Sequence, residues 1–351
     1  MSRESANVRS WARVAVASTI AALILASCGT PAVAPTPLVS GVPSTSISVP
    51  LTSVGCTTNT CVAIGTSTTD VASISVGEVR GASGGWKVID TPMLTSTVNI
   101  QGSSCWTDTC LFVGQDSSGD VIWRYEASTD SVSQVNTPSG GIAVDAVSCY
   151  APLSCATIDD ATGSGPRFET TSDGGDTWST PVALPQTGDN VRSLACGSSL
   201  DCIVVTASSN DAVDIYATVD GGATWTLRTS SSTATWETLT PLTCRKLVCV
   251  GLAELQTGWH IVRTAALGRT WSVKSAFSVA VNTAPTFACA TLTHCVVGGT
   301  KDGSTPWLAT YTNGALKTRK LKYVPSPILQ LACGPKVCAG IGVTTLLTLS
   351  S

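Results

Sequence analysis

Two short stretches combine an acidic residue with glycine, threonine and tryptophan: "TSDGGDTW" at 171–178 and "TVDGGATW" at 218–225. A carboxylate held in such a turn could bind a metal ion or act as a general acid or base. The same composition also suits a structural turn, because aspartate bonds its own backbone, glycine adopts positive φ and tryptophan buries a large surface.

A third copy, "TAALGRTW" at 264–271, favours the structural interpretation because Ala266 stands where the other copies have aspartate. A catalytic carboxylate would not recur at equivalent positions in two repeats and become alanine in another. We therefore predict no catalytic residue here and assign a structural role in turns to Asp173, Gly175, Trp178, Asp220, Gly222, Trp225 and Trp271.

The cysteines form a second pattern that could carry chemistry. Fourteen of the fifteen fall into local pairs with four or five residues between the partners. The spacing is not that of a zinc site, and His294 is the only histidine near a pair, so we expect no metal and no cofactor. Hairpin disulfides are predicted instead: Cys56–Cys61, Cys105–Cys110, Cys149–Cys155, Cys196–Cys202, Cys244–Cys249, Cys289–Cys295 and Cys333–Cys338.

The pairs recur every 44 to 49 residues, which indicates seven structural repeats. The fourth repeat shows four short strand-like segments, "VRSLAC", "CIVVTA", "VDIYATV" and "WTLRTS". Four strands in about 45 residues are typical of one blade of a β-propeller. The prediction is an all-β fold, a seven-bladed β-propeller with four-stranded blades and one hairpin disulfide per blade.

The two ends of the repeat array are incomplete. After the last cysteine pair, only "VTTLLTLSS" remains, which is enough for a third strand but not a fourth. The segment "TSISVP" at 45–50 reads as a strand with no blade of its own. We predict that this N-terminal strand pairs with the C-terminal strand and closes the ring, so that the propeller domain covers 44–351.

The N-terminal residues read as an export signal. Arg3, Arg9 and Arg13 precede an apolar run and then "LASC", which resembles the bacterial lipobox. This resemblance implies a signal peptide over 1–27, a lipid on Cys28, and a position on the outer face of the cell membrane. Residues 28–43 are rich in proline, serine and threonine and are predicted to be a flexible tether. Disulfides persist in that compartment.

The net charge of −3 gives no sign of nucleic-acid binding. We also expect the protein to be a monomer.

The turns described above fit T-x-D-x-G-x-T-W and resemble the Asp-box, or bacterial neuraminidase repeat, of sialidases and other propellers. Asp-box repeats behind an export signal also resemble the propellers that assist photosystem II assembly. The resemblance implies turns between the third and fourth strands, with the aspartate bonding backbone amides.

Functional residues are expected at the end of the ring opposite these turns. Four positions before each first cysteine, the innermost strands carry Gln101, Asp145, Arg192 and Thr240 in consecutive blades. We predict that these four residues contribute to a binding site at the channel mouth. The alternative is an Asp145–Arg192 ion pair with no ligand. Loop residues such as Asp120 and Asp159 would add an acidic rim.

The resemblance to sialidases implies three arginines that bind the substrate carboxylate, a tyrosine with a glutamate beside it and an acid/base aspartate, in a domain that normally opens with an Arg-Ile-Pro signature. The tripeptide is absent, and Arg124, Arg167 and Arg263 fall in third strands, away from the channel. The sequence therefore favours a binding or assembly module for a protein or glycan of the cell envelope. The alternative function is a sialidase-like glycoside hydrolase or lyase acting on envelope glycans.

Overall fold

A computed structural model describes residues 40–43, 51–66, 74–80, 86–89, 99–116, 118–138, 144–161, 165–185, 190–207, 213–230, 236–277, 284–301, 305–319, 321, 327–342 and 345–350. The chain divides into two units, Met1–Thr36 and Pro37–Ser351. The first unit, with the predicted signal peptide and Cys28, lies outside the described residues. In the described part, no helix has the length and apolar character needed to cross a membrane.

The described strands form seven four-stranded antiparallel sheets, which we call blades 1 to 7. Strand β1 (Ser40–Pro43) comes first. Blades 1 to 3 follow as β2 (Leu51–Cys56), β3 (Thr60–Thr66), β4 (Ile74–Arg80), β5 (Lys87–Ile89), β6 (Asn99–Trp106), β7 (Thr109–Asp116), β8 (Gly119–Glu126), β9 (Ser131–Val135), β10 (Val144–Ala151), β11 (Ser154–Ala161), β12 (Gly165–Thr171) and β13 (Val182–Ala183).

Blades 4 to 6 repeat the same order of strands. They consist of β14 (Asn190–Cys196), β15 (Cys202–Ala207), β16 (Val213–Thr218), β17 (Thr226–Ser230), β18 (Trp236–Arg245), β19 (Val248–Leu255), β20 (Gly258–Thr264), β21 (Trp271–Phe277), β22 (Thr286–Thr291), β23 (His294–Lys301), β24 (Thr305–Thr312) and β25 (Ala315–Arg319). Blade 7 combines β26 (Ile328–Cys333), β27 (Val337–Gly342) and β28 (Thr345–Ser350) with β1.

Apolar strands explain why the blades stack side by side. In blade 4, every side chain of β15 and β16 is buried, because both faces of the sheet meet a neighbouring blade. Apolar clusters fill the spaces between neighbours, and one of them joins Ile341 of blade 7 to Val54 of blade 1. The innermost strands contact each other from β2 around to β26 and back to β2. The sheets therefore form a closed ring.

The structure confirms the all-β propeller and corrects its closure. Six blades are each built from four consecutive strands, whereas blade 7 takes its outermost strand from the N-terminal part of the chain. That strand is β1, in which Ser40 pairs with Thr348 and Pro43 with Thr345. The predicted closing strand at 45–50 was therefore misplaced. Its residues lie outside the described part, and β1 falls where the tether was predicted.

The predicted hairpin disulfides are confirmed in every blade. Each joins residues that face each other in the first two strands, as Cys149 faces Cys155. The small residue before the first cysteine packs against a cysteine of the next blade at Gly55, Ser104, Ala288 and Ala332. At Gly55, a Cβ atom would lie 2.5 Å from Cys105 Sγ. The Sγ atom of Cys149 lies 3.5 Å from the carbonyl oxygen of Ser104 in blade 2.

Candidate functional site

A cavity of about 350 Å³ is lined by the innermost strands. We call the end where these strands begin the mouth, and the end where they reach the cysteine hairpins the disulfide end. At the mouth, the pairing of the first two strands skips a residue in blades 1, 2, 3, 4 and 7. The skipped residues are Thr52, Gln101, Asp145, Arg192 and Leu329.

These bulges provide the geometry of the site. A β-bulge leaves one residue out of the ladder and re-aims its side chain. Each skipped residue stands four positions before a first cysteine, which is the position that the sequence singled out. Gln101, Asp145 and Arg192 all line the cavity and come from the adjacent blades 2, 3 and 4. Thr240 lies in the irregular stretch of β18 between Leu239 and Leu242, and its side chain is outside the described part.

The alternative of an Asp145–Arg192 ion pair is not seen. Ion pairs between described residues include those of Arg124 with Glu126 and Asp176 and of Arg167 with Asp159, and none joins Asp145 to Arg192. The Arg192 side chain is exposed at the mouth, so its guanidinium is accessible to a ligand.

Most polar groups deeper in the wall already have partners in a neighbouring blade. The Ser104 hydroxyl accepts a hydrogen bond from Cys149 N at 2.9 Å, and the Ser148 hydroxyl accepts one from Cys196 N at 2.8 Å. Thr286 Oγ1 accepts from Leu331 N, and Gln330 Oε1 accepts from Val54 N. These hydrogen bonds join the innermost strands of neighbouring blades. A ligand in the cavity would therefore meet its polar contacts mainly at the mouth.

Gln101 is held by a series of side-chain hydrogen bonds within blade 2. Gln101 Nε2 donates to Gln115 Oε1 at 3.4 Å, and Gln115 Nε2 donates to Asp120 Oδ1 at 3.4 Å. Burial raises the pKa of Asp120, and Asp159 of blade 3 adds to that shift. Asp159 is buried and holds Arg167 through its side chain and backbone. Asp159 therefore has an internal partner, although the sequence suggested a solvated rim.

A contact across the ring lies at the disulfide end. The Arg245 guanidinium stands 4.6 Å from the centre of the Trp106 ring, a cation–π contact. Arg245 belongs to blade 5 and Trp106 to blade 2, so the contact spans the axis, whereas the other inter-blade contacts given above join neighbours. Arg245 also lines the cavity, and burial lowers its pKa. This pair therefore links blades 2 and 5 at the end opposite the mouth.

Sequence reasoning missed Arg245 and Trp106 because it considered only the positions before each first cysteine. Both residues come directly after a first cysteine, Cys244 in blade 5 and Cys105 in blade 2. That shared position is a signal that could have placed both at the disulfide end. Their mutual contact depends on the order of the blades in the ring, which local spacing does not contain.

The two aspartate turns lie at the disulfide end, and their carboxylates bond their own turns. Asp173 Oδ1 accepts from Thr177 N at 2.9 Å and from Thr171 Oγ1 at 2.8 Å. Asp220 accepts equivalent bonds from Thr224 and Thr218. Hydrogen bonds from the threonine after each turn are the largest cause that lowers the pKa of both aspartates to about 2.

The third copy of the turn keeps its shape without the aspartate. Gly268 N donates to Thr264 Oγ1 at 3.0 Å, as Gly175 N donates to Thr171 Oγ1. Gly268 retains a positive φ of 80°. The ring of Trp271 meets Trp236 edge-to-face at 5.2 Å. The threonine, the glycine and the tryptophan are therefore sufficient to form this turn.

Arg124 performs a structural task at the same end. It extends from the third strand of blade 2 and donates to the carbonyl oxygens of Asp173 and Gly174 in blade 3. It also pairs with Asp176 at 3.1 Å. The described residues contain no group of three or more histidine, cysteine, aspartate or glutamate side chains that could hold a metal ion.

Comparisons with known proteins support the fold. No family model and no curated protein sequence matches the chain. Among solved structures, the chain is similar to YCF48 bound to D1 peptide, with 14% identity and a TM-score of 0.61 over 89% of this chain and 96% of that chain. It is also similar to YCF48 from Cyanidioschyzon merolae, with 13% identity and a TM-score of 0.57 over 89% of this chain and 98% of that chain.

A third similar structure is virginiamycin B lyase from Staphylococcus aureus. The two chains share 12% identity and a TM-score of 0.59, over 90% of this chain and 100% of the lyase. Identities of 12 to 14% show a shared architecture and do not carry the residues of a site. The chain thus has a β-propeller fold that it shares with YCF48 and with virginiamycin B lyase.

Proposed function

We propose that the chain is a binding module that holds a segment of a partner protein at the mouth of its central cavity. The observation that carries this proposal is the set of bulges that directs Gln101, Asp145 and Arg192 from three adjacent blades into one cavity. Loops and strand ends held by a rigid scaffold are common binding sites.

The chemistry of the mouth suits a peptide with polar and apolar groups. Gln101 offers an amide, Asp145 a carboxylate and Arg192 a guanidinium, while Leu194 and Leu242 add apolar lining. Asp145, Arg192 and Arg245 give the cavity lining one net positive charge, which favours an acidic group on the ligand. A similar fold, that of YCF48, has been solved bound to D1 peptide, which supports a peptide as the kind of ligand.

We further propose that a lipid on Cys28 holds the protein on the outer face of the cell membrane. The direction of β1 indicates at which end of the propeller such an anchor would be attached. Ser40 pairs with Thr348, near the disulfide end, whereas Pro43 pairs with Thr345, nearer the mouth. The chain therefore enters the propeller at the disulfide end. A lipid on Cys28 would therefore be attached to the propeller at the disulfide end, and the mouth at the other end would stay available to a partner of the envelope.

A glycoside hydrolase or lyase is the second candidate, and the cavity gives it less support. Among the described residues that line the cavity, none is a tyrosine, glutamate or histidine, and Asp145 is the carboxylate present. Two carboxyl groups, or a tyrosine with a glutamate, are the usual requirement for glycoside hydrolysis. The similarity to virginiamycin B lyase supports the fold and not an activity.

Cross-linking on intact cells followed by mass spectrometry would identify the partner. We expect Arg192→Ala to weaken binding of the captured segment by about 10- to 100-fold, since a charged hydrogen bond contributes about 1.5–3 kcal/mol. Arg269→Ala is the matched control, because Arg269 is equally exposed but lies in a turn at the disulfide end. Equal affinities for both variants would contradict a site at the mouth. Turnover of fluorogenic glycosides that Arg192→Ala abolishes would support the enzyme instead.

A further inference from the structure

Several large apolar side chains are exposed at the disulfide end. Leu153, Leu200 and Leu247 occupy the hairpins between the first two strands of blades 3, 4 and 5, and they are 39%, 55% and 44% exposed. Val219, in the aspartate turn of blade 4, is 53% exposed. Because these blades are consecutive, the three leucines and Val219 follow one another along the same end of the ring, and we call this set of residues the leucine arc.

The leucine arc is held rigidly by backbone hydrogen bonds. In each of the three blades, the turn after the third strand donates a bond to the carbonyl oxygen of the leucine. Gly174 N donates to Leu153 O at 2.8 Å, and Gly221 N donates to Leu200 O at 3.0 Å. Lys246 N donates to Gly197 O at 2.9 Å and joins the hairpins of blades 5 and 4. The exposed leucines are therefore fixed features of the surface.

The chain enters the propeller at this same end. Strand β1 begins at Ser40, beside Thr348 of β28, and β28 ends where Ser350 pairs with Val337 at the cysteine hairpin of blade 7. Cys28 lies twelve positions before Ser40. Twelve extended residues span at most about 40 Å, so a lipid on Cys28 would hold Ser40 within about that distance of the membrane surface.

We propose that the leucine arc rests on the lipid bilayer that holds the protein. This inference builds on the membrane anchoring proposed above and adds a surface and its ligand, the interfacial region of a bilayer. Exposed apolar patches of this kind mark interaction surfaces. We infer the bilayer as the occupant because the chain enters the propeller at the same end as the arc and Cys28 lies only twelve positions before Ser40.

Charged groups beside the leucine arc limit how deeply its side chains can enter the bilayer. The Asp220 carboxylate follows Val219 and stays ionised, since Thr224 and Thr218 donate hydrogen bonds to it. Asp201 follows Leu200, and the exposed Lys246 precedes Leu247. Ionised groups remain at the level of the headgroups. The contact is therefore shallow, and because both signs of charge are present it should depend little on anionic lipid.

Photo-cross-linking tests the contact directly. The full chain would carry p-benzoylphenylalanine at Leu200, at Leu247 or at Leu329 and be placed in vesicles of phosphatidylethanolamine and phosphatidylglycerol. Leu329 is the matched control, because it is 54% exposed but lies at the mouth. We expect lipid adducts at positions 200 and 247 and at least tenfold fewer at 329. Equal yields, or protein adducts at 200 in native membranes, would overturn the proposal.

A second variant tests the leucines themselves. With the photo-probe at Val219, the triple change Leu153→Ser, Leu200→Ser and Leu247→Ser should lower the yield of lipid adducts severalfold. An unchanged yield shows that the leucines do not hold the face on the bilayer. The mass of Cys28 is read separately: an unmodified Cys28 with lipid adducts still formed at 200 contradicts the lipid anchor while supporting the leucine arc.

Discussion

The packing of each disulfide against the next blade can be tested at Gly55. In the Gly55→Ala variant, the new Cβ atom would lie 2.5 Å from Cys105 Sγ and 3.3 Å from Cys110 Sγ. Nonbonded heavy atoms prefer about 3.5–4.0 Å, so the closer contact is roughly 1 Å too short. The sulfur atom is fixed in a disulfide and cannot rotate away, so the innermost strands β2 and β6 must separate.

The free-energy cost of this steric overlap can be estimated from the effect of overpacking in other protein cores. Extra methyl groups in a well-packed core destabilise a protein by about 1–3 kcal/mol. Each kcal/mol shifts the Tm of a domain of this size by about 2–4 °C, which gives a fall of roughly 2–12 °C. Thermal unfolding followed by circular dichroism would measure it. Gly102→Ala is the control, because a Cβ at Gly102 in the innermost strand of blade 2 meets only Val113, at 3.6 Å.

A double-mutant cycle identifies the sulfur atom as the cause. Cys105→Ala with Cys110→Ala removes the disulfide, at a cost of about 2 kcal/mol in the chain-entropy model for so short a loop. In that background, Gly55→Ala should become nearly neutral, with a coupling energy of about 1–3 kcal/mol. If Gly55→Ala behaves like Gly102→Ala, or if its penalty survives without the disulfide, the explanation for the small residues along the ring is wrong.

Two further predictions concern the aspartate turns. The pKa of Asp173 and of Asp220 falls from 3.8 to about 2 in the folded chain, so their stabilisation is complete above about pH 4 and is lost as the pH falls toward 2. The double variant Asp173→Asn and Asp220→Asn should therefore melt below the parent at pH 6 and converge with it near pH 2. A constant difference in Tm across that range would contradict the assignment. In blade 5, Ala266→Asp should recreate the missing carboxylate beside Thr264 and Thr270 and raise the Tm by about 2–4 °C. Ala265→Asp is the control, and the same gain in both variants would show that turn geometry is not responsible.

Regular features of the sequence predicted the parts of the fold that repeat. The cysteine pairs gave the hairpin disulfides directly, because facing positions of a two-stranded hairpin are close in space. The closing strand was misplaced because it has no repeat. "TSISVP" contains β-branched residues at alternate positions, whereas β1 is "SGVP", with a glycine and a proline. Strand formation at Ser40–Pro43 depends on the partner strand β28, and local propensity does not report that partner.

The candidate site, like the fold, was predicted in part from the sequence. The sequence brought Gln101, Asp145 and Arg192 together because each stands four positions before a first cysteine in consecutive blades. The physical reason, a bulge in each innermost strand, became visible only in the pairing registers. The contact of Arg245 with Trp106 could not be predicted, since blades 5 and 2 meet only across the axis of the closed ring.

The bulges also explain why the fold alone says little about the ligand. The backbone contributes the same irregularity to blades 1, 2, 3, 4 and 7, but the residue placed there changes from Thr52 to Gln101, Asp145, Arg192 and Leu329. One side chain per blade can therefore alter the chemistry of the mouth without altering the ring. Propellers that share 12 to 14% identity with this chain have the same architecture, and identities this low do not carry the residues of a site from one propeller to another. The partner must consequently be identified from the mouth residues of this chain, and Arg192, exposed and without an ion pair among the described residues, is the first of them to test.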